Sequence, residues 1–347
     1  IVLLFMFISF FEDTGYMARI AFLMDRLMHG IGLHGKAFIP MLMGFGCNVP
    51  AIMATRTMEN PRDRLVTILV NPFMSCSARL PVYVLFIGAF FQEWAGTVLF
   101  GLYLLGIITA MLAAMVLKKT FFGGWSEAFV MELPPYRIPT VRAVMVHMWG
   151  KAVEFLKKMG GVILIGSILI WFLQSFPRDV SLSVDYDAKL ATLNQMAESG
   201  VREEAIFRLT NQRAAEEQEK RFLGVIGHAI QPFFAPLDMD WKASIALLTG
   251  FVAKEVVVST FGVLYATGAK KGEKPEGLQH QLAGSMPAKA ALGFLVFTLL
   301  YVPCLATIAA IRRETLSWKW PLFSVGFGLT IAWTFALITI HIGGIFL

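Results

Sequence analysis

The segment Gly44–Arg56, GFGCNVPAIMATR, constrains the chain more than any other. It lies inside an apolar run, yet Gly44 and Gly46 precede Cys47 and Pro50 follows it. A helix crossing here must be interrupted, leaving backbone N–H and C=O groups without partners along the segment. In hydrocarbon such a break survives only where it lines a protein-enclosed or water-filled cavity. Composition places the chain in hydrocarbon: 56% of residues are hydrophobic, 16% are charged, thirty are Phe and eighteen are Met. The expected fold is therefore an all-α, polytopic transmembrane helical bundle built from two related halves that contain broken, re-entrant helices. The net charge of +6 is spread among loops, which suits loops facing the cytoplasm and argues against a nucleic-acid partner. Cys47, Cys76 and Cys304 show no CxxC spacing and have apolar neighbours, so neither a disulfide framework nor a zinc ribbon is expected. The chain opens at Ile1 and closes at Leu347 within apolar runs, and both ends read as cut from a longer protein.

Residues 1–117 read as a first membrane repeat, 118–158 as a basic cytoplasmic or interfacial linker, and 159–176 as a transmembrane helix. Residues 177–240 read as a soluble, periplasmic helical insertion and 241–347 as a second membrane repeat. Within the first repeat, Glu12 and Asp13 close an apolar helix, where carboxylates are costly unless paired or hydrated. Tyr16–Met28 has the apolar stripe of an interfacial helix. Gly30–Ala37 has the GxxxxGK spacing of a phosphate loop, but a helix precedes it and Ala37 follows the lysine, so it reads as a turn. A second broken span, NPFMSCSARLP, carries Cys76 and Arg79 between Pro72 and Pro81. An arginine there is either part of a site or is neutralised by freed carbonyls.

The linker carries Lys118, Lys119, Arg137, Arg142, Lys151, Lys157 and Lys158 against Glu127, Glu132 and Glu154. That excess assigns it to the cytoplasm. Val141–Met159 reads as an interfacial helix, with His147 at headgroup level. Residues 187–221 read as one or two solvated helices, and Thr267–Pro287 as a polar loop. Lys254 and Glu255 lie inside the apolar run Trp241–Tyr265, either as a functional pair or as an internal salt bridge.

The two ends of the chain echo one another. An acidic residue (Glu12, then Glu255) is followed by a helix breaker and a cysteine: Cys47, then Cys304 after Pro303. Nine positions beyond each cysteine stands an arginine, Arg56 and then Arg313. Paired broken helices in two halves of a membrane protein point to a binding site between repeats. A lone cysteine is best read as a small buried apolar residue. Two at equivalent breaks, with carboxylates, freed carbonyls and Met43 nearby, favour a divalent transition metal. Cys76 has no counterpart in this reading and ranks third. Arg56 and Arg313 read as anchors of the broken helices, since a cation repels a metal.

EDTGYMARIAFLMDRL, GFGCNVPAIMATRT, NPFMSCSARLPVY, VMELPPYRIP, GFVAKEVVV and LYVPCLATIAAIRRET together resemble the membrane domain of the bacterial ferrous iron transport protein B family, FeoB, with the cysteine blocks in its Gate regions. The resemblance implies multi-pass insertion in the inner membrane and uptake of Fe(II) along a path lined by Cys47, Cys304 and their neighbours. It implies an N-terminal GTP-binding domain that is not in this sequence, so GTP and Mg would act only through that domain, and no residue here is assigned catalysis. The partners it implies are the lipid bilayer, small Feo accessory proteins and further copies of the chain. Two alternatives stand beside it: a transporter of another small, nucleoside-like solute, and a membrane thiol redox protein using Cys47 and Cys304.

Overall fold

The computed structural model describes residues 2–121, 135–177, 183–194, 199–265 and 276–346. Glu127, Glu132 and the first half of VMELPPYRIP lie outside these residues. In chain order the helices are α1 (Val2–Asp13), α2 (Tyr16–Gly30), α3 (Phe38–Gly44), α4 (Asn48–Ala54), α5 (Pro61–Val70) and α6 (Leu80–Phe90). There follow α7 (Ala95–Phe121), α8 (Val141–Ser175), α9 (Tyr186–Asn194), α10 (Ser199–Lys220), α11 (Phe222–Phe234) and α12 (Trp241–Val252). The last are α13 (Val256–Tyr265), α14 (Glu276–Ser285), α15 (Ala288–Leu300), α16 (Leu305–Thr315) and α17 (Lys319–Phe346). No strand occurs among the described residues.

Among the described residues five helical stretches are long and apolar enough to cross a membrane: Pro61–Phe90, Gln92–Phe121, Val141–Ser175, Ala288–Thr315 and Lys319–Gly343. Along α7, Phe100, Leu104, Ile108, Leu112 and Met115 are exposed at helical spacing, as a lipid-facing stripe requires. The chain is a multi-pass, all-helical membrane protein.

The breaks follow from local chemistry. α3 ends on turn bonds from Phe45 N to Leu42 O and from Gly46 N and Cys47 N to Met43 O. Cys47 is then extended (φ −154°, ψ 129°) and α4 begins. Pro50 falls in the first turn of α4, where a missing N–H costs nothing because the first four have no intrahelical acceptor. Pro303 bars Val302 from helical geometry, and α16 starts after Cys304, itself extended (φ −60°, ψ 157°). α5 opens with Pro61 behind an Asn60 cap whose side chain accepts from Arg62 N.

Three expectations need correction. First, the interfacial helix 141–159 and the span 159–176 are one 35-residue helix, α8, about 52 Å long at 1.5 Å per residue. Second, Trp241–Tyr265 is not continuous but breaks at Ala253–Glu255. Third, the loop expected at Thr267–Pro287 contains α14. The breaks also admit a second pairing, by chain order. Gly44-Phe45-Gly46-Cys47 matches Gly250-Phe251-Val252-Ala253, and Ala253 has nearly the dihedrals of Cys47 (φ −146°, ψ 121°). Taken in chain order, the second break of each half then sets Phe73-Met74-Ser75-Cys76 beside Tyr301-Val302-Pro303-Cys304, each with an aromatic residue three positions before a cysteine. On that pairing Cys76 answers to Cys304 and Cys47 to an alanine, whereas Cys47 and Cys304 share an extended backbone immediately before a helix.

The chain forms two compact units. The first comprises Ile1–Ala78, Gly101–Leu164 and Leu299–Thr330; the second comprises Arg79–Phe100, Ile165–Thr298 and Ile331–Leu347. The core of the first gathers Phe5, Val49, Ile52, Ile68, Phe155, Met159, Ala306, Ala310 and Ile311 from α1, α4, α5, α8 and α16. In the second, Phe86 of α6 stacks on Phe294 of α15 (4.6 Å) and meets Phe261 of α13 edge-on (5.2 Å). Within that unit α9 and α10 form a charged pair of helices, joined by Arg213 to Asp187 at 2.7 Å and by the Tyr186 hydroxyl donating to Glu216 at 2.8 Å.

Candidate functional site

The first unit gathers most of the residues singled out by sequence. The break after α3 meets the break after α5. The Ser77 amide and hydroxyl both donate to Gly46 O, at 3.3 and 2.9 Å, and Asn71 Nδ2 donates to Pro40 O at 2.9 Å. Asn48 is satisfied when its Nδ2 donates to Gly44 O (3.2 Å) and to Asn71 O and Oδ1 (both 3.3 Å). Gly44 has to be glycine here, because a Cβ would lie 2.4 Å from Asn71 Oδ1. Carbonyls freed by the breaks are thus taken up by Asn and Ser side chains from the neighbouring break, which is how a buried irregular segment satisfies its polar groups.

Cys47 and Cys304, at the starts of α4 and α16, both pack against the shared core of this unit. Cys304 Sγ lies 3.1 Å from Thr307 Oγ1. None of the three cysteines forms a disulfide, and all are partly buried. Beside α4 is a cavity of about 500 Å³ whose lining includes Glu12, Met43, Pro50, Arg56, Lys151 and Glu154. Its apolar side is formed by Phe5, Ile8, Ile39 and Met53, and its polar side by the charged residues.

Those charges come paired. Lys151 contacts Glu12, and His147 Nδ1 lies 3.0 Å from Asp13 Oδ1. His147 is therefore a partner of Asp13. His147, Lys151, Glu154 and Lys158 recur along α8 at spacings of four, three and four, which places them on one face of the helix. Arg56 lies across the Glu314 carboxylate, with Nε 2.8 Å from Oε2 and Nη2 2.6 Å from Oε1. Arg64 Nη2 donates to the same Oε2 at 2.8 Å, and Arg56 Nη1 reaches Glu154 at 3.4 Å. The hydrogen bond to Glu314 pushes the Arg56 guanidinium further up from its ordinary range.

Sequence reasoning chose Arg313 as the second anchor, but Arg313 is exposed. The residue that pairs with Arg56 is its neighbour Glu314, whose side chain is 4% exposed. An acidic residue one position past the expected arginine was the available signal. Arg79, wholly buried, and Glu255, exposed beside the buried Lys254, belong to the second unit. Gly30–Ala37 is a helix end followed by a short 3₁₀ turn. Among the described residues no group of three or more His, Cys, Asp or Glu is arranged to hold a metal ion. Metal ligation among these residues would therefore rest on single thiols, thioethers, carboxylates and backbone carbonyls rather than on a cluster of three.

The Gate family, described as nucleoside recognition, matches residues 1–90 and 156–318. The C terminus of ferrous iron transport protein B matches residues 99–151. Among curated proteins, the Fe(2+) transport protein A/Fe(2+) transporter FeoB fusion protein of Porphyromonas gingivalis is 48% identical over 357 residues, covering 100% of this chain and 42% of that protein. The Fe(2+) transporter FeoB of Campylobacter jejuni is 45% identical, covering 100% of this chain and 53% of that protein. The one from Methanocaldococcus jannaschii is 41% identical, covering 99% and 46%. The chain spans about half the length of the curated relatives it matches. No solved structure matches it.

Proposed function

Because this chain belongs to the Gate family, in its ferrous iron transport protein B branch, we propose that it forms the membrane path of an Fe(II) uptake system in the bacterial inner membrane. The observation that carries this reading is the site of the first unit. There two cysteine-capped half-helices share one core, and a cavity holding Glu12 and Met43 runs along one of them. Fe(II) would exchange water for carboxylate and thioether at the cavity and for thiol and freed carbonyl at the breaks, a mixed donor set suited to a divalent transition metal. Thiol ligation releases a proton, so binding would strengthen as pH rises. With the basic linker on the cytoplasmic side, the insertion 177–240 would face the periplasm. We assign no chemical catalysis to the chain: GTP and Mg would act through a further domain, and FeoA-like proteins and further copies of the chain would be partners.

The Gate description supports a second reading, transport of a nucleoside. The amides that would read a base, Asn48 and Asn71, are instead engaged with Gly44, Pro40 and one another, which favours the iron reading. The test is anaerobic Fe(II) uptake by cells carrying the full-length protein, at matched membrane abundance, comparing wild type with Cys47→Ser, Cys304→Ser and the double variant. The expected result is a loss of at least tenfold in each single variant, the equivalent of about 1.4 kcal/mol. Normal uptake by the double variant would end the thiol path, and nucleoside uptake in its place would establish the second reading.

A further inference from the structure

Helices α4 and α16 lie side by side on one core. Each begins at a cysteine, and each ends in the same ion cluster: Arg56 follows α4, and Glu314 lies in the last turn of α16. Both carboxylate oxygens of Glu314 are occupied. Oε1 accepts from Arg56 Nε and Nη2 at 3.0 and 2.6 Å, and Oε2 accepts from Arg56 Nε and Arg64 Nη2, both at 2.8 Å. The Glu314 side chain is 4% exposed, whereas Arg56 is 48% exposed. The carboxylate is thus the buried hub, and the guanidinium reaches it from the cavity wall.

Such a cluster is a poor device for stability alone, because desolvating the ions offsets much of their attraction and apolar side chains of similar volume hold a core as well. What a forked carboxylate–guanidinium contact supplies is a single permitted geometry. Cys47 stands nine positions before Arg56, and Cys304 ten before Glu314. Each cysteine is joined to its end of the cluster by a short, stiff helix.

We propose that Glu314 is a positioning residue for transport: by clamping Arg56 and Arg64 it holds α4 and α16 in the pairing that keeps Cys47 and Cys304 packed against the core. Loosening the clamp lets the two half-helices part and exposes both thiols together. The inference rests on the reading of α4 and α16 as the transport path, but its test does not need iron.

The experiment uses the full-length protein in native membranes with Glu314→Gln and, should that variant fail to fold, Arg56→Lys, which keeps the charge and loses the fork. N-ethylmaleimide labelling of each cysteine is followed by mass spectrometry, and Fe(II) uptake is measured in parallel. The expected result is labelling of Cys47 and Cys304 about tenfold faster than in wild type, the equivalent of about 1.4 kcal/mol in the opening equilibrium. Cys76, which caps neither clamped helix, should change less than about twofold, the variant keeping the wild-type elution volume. Unchanged labelling of Cys47 and Cys304 overturns the clamp, and so does an equal rise at all three cysteines, which reports general loosening. If labelling moves as expected while uptake ignores both cysteines, the clamp stands and the iron path falls.

Discussion

Gly44→Ala puts the meeting of the two breaks to a direct test. The added methyl would lie 2.4 Å from Asn71 Oδ1 and 3.0 Å from Met74 Cβ. Asn71 cannot swing aside freely, since its Nδ2 is bonded to Pro40 O at 2.9 Å and its Oδ1 faces the Asn48 amide. Overpacking of this kind costs about 1–3 kcal/mol. Displacing Asn71 leaves a buried polar group unsatisfied, for a further ~1–3 kcal/mol. Alanine's better helix propensity returns only about 0.5–1 kcal/mol, so the net loss is about 1–5.5 kcal/mol. At about 2–4 °C per kcal/mol for a unit of this size, the apparent melting temperature in mild detergent, read from the surviving monodisperse fraction, should fall by roughly 2–22 °C. Gly101→Ala is the control. It makes the same change inside α7, where a Cβ meets nothing within 4 Å, and it should leave stability unchanged or raise it by about 0.5–1 kcal/mol. Equal melting of Gly44→Ala and wild type, or equal losses in both variants, would refute the packing argument.

Two further predictions use the charges. Asp63 is buried, with Lys118 as its ion partner and a side chain 1% exposed. Lys118→Met should therefore cost about 3–5 kcal/mol by stranding the carboxylate, while Asp63→Leu combined with Lys118→Met should recover most of that loss in the same melting assay. Glu216 is held at about 2 by Lys220 first and by Ser183 and Tyr186 after it. Its folded-state value is depressed, so its stabilising contribution is complete above the ordinary value of 4.5 and fades as pH falls towards about 2. Amide-exchange protection of Ser183, whose N–H donates to Glu216 at 2.6 Å, should follow that curve, and Glu216→Gln should flatten it.

The breaks at Cys47 and Cys304 were readable because Gly and Pro act locally, removing a donor or permitting a turn wherever they occur. The break at Ala253 was not, since GFVAKEVVV contains no proline and its apolar run imitates a continuous span. Its match to GFGCNVP emerges only from the backbone angles. Glu314 was missed because an ion pair spanning 258 positions leaves no periodicity in either of the segments it joins. The continuity of α8 was hidden by a change of surroundings, lysine-rich at one end and apolar at the other, which altered composition without breaking helical geometry.

That continuity makes α8 resemble the blade of a key. Its four cuts, His147, Lys151, Glu154 and Lys158, stand on one edge. The first two engage the carboxylates that end α1, and the third engages Arg56 beside α4. A turn of one residue swings a helix face through about 100°, so α8 cannot withdraw one cut while leaving the others seated. α1 and the Arg56 cluster therefore both meet the same edge of α8, and a rotation of that helix as a rigid body would disturb both together.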